Sequence, residues 1–191
     1  MEDTKTKLAN PAPLGLLGFG MTTILLNLHN AKLIELTVVI VAMGFALGGL
    51  AQIIAGIFEL RQGNTFGGTA FTAYGLFWWS LIFIWLNLGD KANAADAKSM
   101  GFYLLLWGVF TLFMFFGSLK HSRALQAVFL LLAILFFGLA AGDFTGVGTV
   151  TLVSGVIGIF CGASAVYTSM AQILKGEYGR EILPLCEPKE K

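Results

Sequence analysis

The chain alternates long apolar runs with short polar breaks. The runs lie at Pro13–Leu28, Leu33–Leu60, Phe66–Leu88, Met100–Leu119, Ala124–Ala141 and Val147–Leu174. Between them stand HNAKLIE, RQGN, LGDKANAADAKS, KHSR and GDFTG, which carry the turn and charge signals. A helix needs roughly 20 apolar residues to cross the hydrocarbon core of a bilayer. The pattern therefore predicts an all-α integral membrane protein with six transmembrane helices in one domain, 13–174, between polar segments at 1–12 and 175–191.

Composition agrees with that reading. Of the 191 residues, 57% are hydrophobic and 12% charged, and the mean hydropathy is +0.80. That leaves too little polar surface to cover a water-facing globule. The net charge of +1 gives no basic footprint for a nucleic acid. The polar start MEDTKTKLAN carries no signal-peptide cleavage pattern. Cys161 in an apolar run and Cys186 in the polar tail do not make a disulfide framework.

Orientation follows from the lysines and arginines of the tails and breaks. One side would hold Lys5, Lys7, Arg61, Lys120, Arg123, Lys175, Arg180, Lys189 and Lys191, and the other Lys32, Lys91 and Lys98. This asymmetry places both termini in the cytoplasm of a multi-pass plasma-membrane protein. No long soluble segment remains for a nucleotide-hydrolysing module, and the phosphate-loop pattern is absent from the sequence. Transport, if that is the function, is secondary or passive.

Polar groups inside a membrane are costly and tend to face a partner or a water-filled path. Thr22, Thr23, Asn27, Gln52, Tyr74 and Thr111 stand within the runs. A lone hydroxyl is commonly bonded to its own helix, whereas the amide of Gln52 either ties two helices together or lines a pathway. Fixed charge is scarcer still. No Lys or Arg lies well inside a run, and Glu59, near one end of its run, is the acidic exception. Hydroxyls, amides and backbone N–H groups suit a small neutral solute, or an anion held weakly enough to leave. His29 and His121 sit at loop edges, so neither a metal centre, a haem nor any other cofactor is expected, and no catalytic triad or metalloprotease motif suggests an enzyme.

Small residues recur four apart at Gly44/Gly48, Gly138/Gly142, Gly142/Gly146 and Gly158/Gly162. In lipid such spacing lets backbones approach closely, within one subunit or between copies. The cluster Trp78, Trp79 and Trp85 and the run FTLFMFFG are expected against lipid, neighbouring helices or the interface belts. The first run opens on NPAPLGLLGFG. Its prolines fit a first helical turn, whose N–H groups lack partners anyway. Gly15, Gly18 and Gly20 continue into the span at about 1 kcal/mol each against Ala in a soluble reference. They either admit a neighbouring helix or open a path beside Phe19.

That opening carries a resemblance. Asn10, Pro11, Ala12, Pro13, Leu14, Gly15 and Leu16, running on as LGFGMTTILLNLHN, resemble the signature of the acetate uptake transporter family. So do the stretches Gly48–Trp79, Leu106–Lys120 (LWGVFTLFMFFGSLK) and Gly158–Tyr167 (GIFCGASAVY). The family includes bacterial succinate–acetate permeases and fungal relatives linked to acetate and ammonia movement. The resemblance implies a pore in each six-helix protomer, assembly as a homohexamer, acetate and in some members succinate as substrate, and movement associated with protons. It also implies a pore constriction at Phe19, Tyr74 and Leu132, with solute contacts at 10–16, Thr22, Thr23, Asn27 and Gln52. Those three bulky residues lie about six to eight residues into the first, third and fifth runs, a common depth of roughly 9–12 Å. Two other readings stand beside carboxylate transport: an ammonia or ammonium pathway, and a membrane scaffold whose polar groups only bond helices together.

Overall fold

The computed structural model describes residues 8–87 and 94–186. Lys5, Lys7, Leu88, Asp90, Lys91, Lys189 and Lys191 lie outside the described residues. Among the described residues six helices are long and apolar enough to cross a membrane: α1 (Ala12–Asn30), α2 (Val38–Arg61), α3 (Thr65–Leu86), α4 (Ala97–Ser118), α5 (Arg123–Thr145) and α6 (Gly148–Tyr178). The protein is thus an all-helical, multi-pass membrane protein.

The ends of these helices follow from local chemistry. Asn10 Oδ1 accepts from the Ala12 N–H at 3.0 Å, and Pro13 occupies the first turn, where a missing donor costs nothing. Asn64 caps α3 by accepting from the Gly67 N–H at 3.0 Å. Asp96 and Ser99 form a reciprocal capping box at the start of α4. The Ser99 backbone N–H holds the Asp96 carboxyl below the usual carboxylate range. Left-handed residues stop α3 at Asn87, α5 at Gly146 and α6 at Gly179.

The helix boundaries differ from the sequence reading by about one to five residues. The second helix begins at Val38 rather than Leu33, because Lys32 turns the chain with φ 61° and Thr37 is extended. The last helix continues past Leu174 to Tyr178. Helix α2 also changes pitch: Gly44–Ala51 is π-helical between α-helical segments at Val38–Met43 and Gln52–Arg61. The Thr22 hydroxyl is 3.4 Å from the Met43 carbonyl, and the Trp79 indole N–H donates to the Phe45 carbonyl at 3.1 Å, so neighbouring helices engage carbonyls where the pitch changes.

Around the bundle the packing runs α3–α2–α1–α6–α5–α4, and α3 and α4 scarcely touch along their backbones. Helix α1 is the hub. A Cβ on Gly15 would stand 2.5 Å from the Phe71 ring of α3, one on Gly18 2.5 Å from the Leu47 carbonyl of α2, and one on Gly20 2.7 Å from the Gly162 carbonyl of α6. Each glycine of the opening motif thus admits a different neighbour. The four-apart glycines other than Gly146, which caps α5, are used inside the subunit as well. Gly44 and Gly48 seat Trp78, Gly138 seats Ser154, Gly142 seats Thr151, Gly158 seats Asn27, and Gly162 meets Gly20.

The tail after α6 folds back. The Cys186 and Leu185 carbonyls accept from the Arg123 and Ala124 N–H groups at 3.2 and 3.3 Å, at the start of α5. Tyr167 Oη donates to the Pro184 carbonyl at 2.9 Å, and Leu185 is buried. Two N–H groups that α5 itself leaves without partners are satisfied this way.

Candidate functional site

Among the described residues, two cavities adjoin inside the bundle. The larger, about 370 Å³, reaches the end that carries Asn10 and the close of α6 and is lined by Asn10, Gln52, Glu59, Asn64, His121 and Gln172. The smaller, about 170 Å³, lies toward the opposite end, where Thr23, Asn27, Trp78, Trp85 and Asp143 are among its walls. Phe19 of α1, Tyr74 of α3 and Leu132 of α5 line both cavities. They are 6%, 3% and 3% exposed, and the Phe19 and Tyr74 ring centroids are 6.0 Å apart.

Tyr74 is oriented from outside this trio. Thr111 Oγ1 spends its hydrogen on the Trp107 carbonyl at 2.7 Å, so the Tyr74 hydroxyl donates to Thr111 Oγ1 at 2.9 Å. Its hydrogen is committed to α4, and the aromatic ring remains for the cavities. Phe77, Tyr103, Trp107, Phe110 and Phe136 extend this support as a lattice of edge-to-face and stacked rings. The rings fill the space left by the sparse backbone contact of α3 with α4.

The polar walls differ between the two ends. In the larger cavity Glu59 Oε2 accepts from Asn64 Nδ2 at 2.6 Å, and Asn10 Nδ2 donates to Gln172 Oε1 at 3.4 Å. Gln52 is 1% exposed, yet neither its Nε2 nor its Oε1 has a protein partner. A buried amide left this way costs free energy unless something else bonds to it. It is positioned at the point where the π-helical stretch gives way to α-helix. In the smaller cavity Asn27 has partners at both ends of its amide, donating to the Thr23 carbonyl at 2.8 Å and accepting from Asn30 Nδ2 at 2.9 Å.

The residues singled out in the sequence therefore separate. Asn10, Ala12, Leu16 and Gln52 line the larger cavity, and Thr23 and Asn27 the smaller. Pro11, Pro13, Leu14 and Gly15 line neither. The Pro11 carbonyl closes the first turn of α1, the Pro13 carbonyl accepts from Ser169 Oγ at 2.7 Å, Leu14 faces outward, and Gly15 seats Phe71. Thr22 is buried against α2 and bonds to the Gly18 carbonyl at 2.8 Å. Sequence reasoning missed His121 and Trp78 as cavity residues. Trp78 stood among tryptophans expected against lipid, neighbouring helices or the interface belts, and nothing local marked it apart.

The GPR1/FUN34/yaaH family matches residues 1–182. The chain is 55% identical to the succinate-acetate/proton symporter SatP of Escherichia coli, over 95% of this chain and 97% of that protein. It is 42% identical to the ammonia transport outward protein 2 of Saccharomyces cerevisiae, of which it spans 62%. The solved structure of the bacterial acetate channel SatP superposes with a TM-score of 0.90 at 55% identity, covering 94% of this chain and 99% of that one.

Proposed function

The chain belongs to the GPR1/FUN34/yaaH family, and we propose that it carries acetate, and succinate with it, across the membrane through the path marked by its two cavities. It is a transport protein and not an enzyme. The observation that carries the reading is the meeting of both cavities at Phe19, Tyr74 and Leu132, with the unpartnered amide of Gln52 in the wall on one side. In this reading those three side chains are the pore constriction. Gln52 and the amides of Asn10 and Gln172 take over part of the solute's hydration before it reaches them.

The chemistry of the trio bears on proton coupling. A small carboxylic acid has a pKa near that of Glu, about 4.3, so the anion dominates at neutral pH. An anion entering an apolar ring loses far more hydration energy than the neutral acid does. Passage through Phe19, Tyr74 and Leu132 therefore favours a carboxylate that travels with a proton.

The chain is oriented, in our reading, with both termini cytoplasmic. Among the described residues Arg61, Lys120, Arg123, Lys175 and Arg180 stand at the end that carries Asn10, and Lys32 and Lys98 at the other. The assembly is proposed to be a homohexamer, to be counted by native mass spectrometry.

Radiolabelled acetate uptake into proteoliposomes tests the proposal. Uptake is expected to be stimulated by an inward proton gradient and reduced by unlabelled succinate. The likeness to a yeast ammonia transporter supplies the competing outcome. Acetic acid arrival acidifies a dye-loaded liposome, whereas ammonia arrival makes it alkaline. Alkalinisation by ammonium salts with no acetate uptake would overturn the carboxylate reading.

A further inference from the structure

The protein has two histidines, one toward each end of the bundle. His29, at the end of α1, sets Nδ1 against the Ile34 carbonyl at 3.2 Å. His121 sits in the turn between α4 and α5, outside the membrane-spanning helices, and lines the larger cavity. Its backbone is pinned. The N–H donates to the Ser118 carbonyl at 2.8 Å, and the carbonyl accepts from Gln126 Nε2 at 2.9 Å. Gln126 is itself fixed, by the Leu119 carbonyl at Nε2 and by Arg123 at Oε1. The ring of His121 is held differently, by stacking on Phe66 of α3 with centroids 4.8 Å apart and planes 25° from parallel. Phe66 then meets Phe129 of α5 edge-on at 5.5 Å, and Phe129 meets Tyr74 at 6.4 Å. Four rings thus form a column from the mouth of the larger cavity to the trio, and all four line that cavity. Its floor is close, since a Cβ on Gly117 of α4 would stand 2.8 Å from the Phe66 ring.

We propose that His121 is a positioning residue for the constriction, and that its protonation from the side carrying Asn10 tightens the ring column and holds the path shut. Histidine is the side chain whose charge ordinarily changes between pH 5 and 8. A cation over an aromatic face is attracted by the ring quadrupole, more strongly where water is excluded. An imidazolium therefore grips Phe66 more firmly than a neutral imidazole does. Phe66 backs Phe129, and Phe129 backs Tyr74, whose hydroxyl is tied to Thr111. With the column stacked in this way Phe19, Tyr74 and Leu132 are all buried, which is the shut arrangement. A proton shifts an equilibrium only by favouring one arrangement over the other, and here the stacked one is favoured. The charged groups around the imidazole are otherwise occupied or turned to solvent. Glu59 of α2, on the same cavity wall, is bonded to Asn64, and Arg123 of α5 to Gln126. Glu181 of the tail accepts from the Leu185 N–H, and Lys120 and Arg61 are exposed. Helix α6 contributes neutral Gln172 to the wall, with Lys175 one turn further on. This inference rests on the transport reading above and extends it. A carboxylic acid that arrives on this side releases its proton there, so the column slows the flux as that compartment acidifies.

Equilibrium exchange of labelled acetate across proteoliposomes, at matched inner and outer pH, tests this without a proton gradient. Rates are compared at about pH 5.5 and about pH 8, on either side of the ordinary histidine range. His121→Phe keeps a ring on Phe66 and cannot be charged. It is expected to exchange about three-fold faster than wild type at the lower pH, the scale of a partly exposed cation–π contact. At the higher pH the two are expected to match. Taking the ratio at each pH cancels the change in the substrate's own protonation. In a Phe66→Leu background, which removes the face that the imidazolium grips, adding His121→Phe is expected to change the rate by the same factor at both pH values. His29→Phe is expected to follow wild type throughout. A second reading needs no substrate. The 13Cε signal of Tyr74 in the purified protein, identified by its absence from Tyr74→Phe, is expected to move between the two pH values in wild type and to stay in place in His121→Phe. A ratio of His121→Phe to wild type that is equal at both pH values, or a Tyr74 signal that moves as far in His121→Phe, overturns the proposal. A Tyr74 signal that moves only when His121 is present, beside absent acetate exchange, overturns the transport reading and leaves the coupling standing.

Discussion

Two seams of the bundle are built on opposite principles. Along α1 and α6 the backbones meet directly. A Cβ on Gly162 would stand 2.6 Å from the Gly20 carbonyl, and one on Gly155 2.5 Å from the Ala31 N. Ser169 donates to the Pro13 carbonyl at the other end of the same seam. Between α3 and α4 the backbones stand apart, and the seam is made of Tyr74, Phe77, Tyr103 and Trp107 with hydroxyl links from Tyr74 to Thr111 and from Tyr103 to both Ser80 and the Phe77 carbonyl. The first seam is set chiefly by backbone against backbone and so has little to repack. The second is all rotamers. Tyr74 belongs to the second seam, so the wall of the path that can repack lies on the α3–α4 side, and α1 presents Phe19 from a fixed base.

Breaking the first seam should have the largest effect. Gly162→Leu forces a side chain into the Gly20 backbone, which has nothing flexible to yield. We expect a loss of about 3 kcal/mol or more, seen as absence of a monodisperse species in detergent after mild heating. Survival at the wild-type midpoint would erase the distinction between the seams. Tyr74→Ala in the second seam should leave a folded protein, because the surrounding rings can repack, and should raise acetate flux into liposomes several-fold. An unfolded Tyr74→Ala, or flux unchanged in a folded one, would count against it. Ser80→Ala and Tyr74→Phe each remove one hydroxyl link and keep the packing. Each should cost about 0.6 kcal/mol, the average for hydrogen bonds between membrane helices, read as a small shift in the thermal midpoint. A much larger loss would mean that the polar links, rather than the rings, hold α3 to α4.

The six spans were legible because apolar runs and charged breaks are set by the bilayer itself. The start of α2 was not, since Leu33 and Ile34 look helical by composition while Lys32 in a left-handed turn redirects the chain. Gly15, Gly18 and Gly20 announced close approach, and only the structure assigns them to α3, α2 and α6 in turn. The returning tail left almost no trace. Its bonds run between backbone groups of Cys186 and Leu185 and those of Arg123 and Ala124, far apart in sequence and indifferent to side chain. The division of Thr22 from Thr23, and of Trp78 from Trp79, was illegible for a related reason. Identical neighbours differ only in azimuth, and azimuth depends on where the helix is docked. For Gln52 the difficulty was sharper, because the π-helical turns upstream of it break any count made at 3.6 residues per turn.

Those wide turns also alter how α2 can tolerate change. A π-helical turn holds a residue more than the α-helical pitch requires, so Gly44–Ala51 stores slack in the numbering of the helix. Removing one residue there tightens the pitch and lets Ile40 upstream and Gln52 downstream keep their faces. The same deletion at 53–58 swings one half of the helix by about 100° relative to the other, carrying either Gln52 or Glu59 off its cavity wall. The stretch is therefore the place along α2 where length can drift without the path losing its alignment.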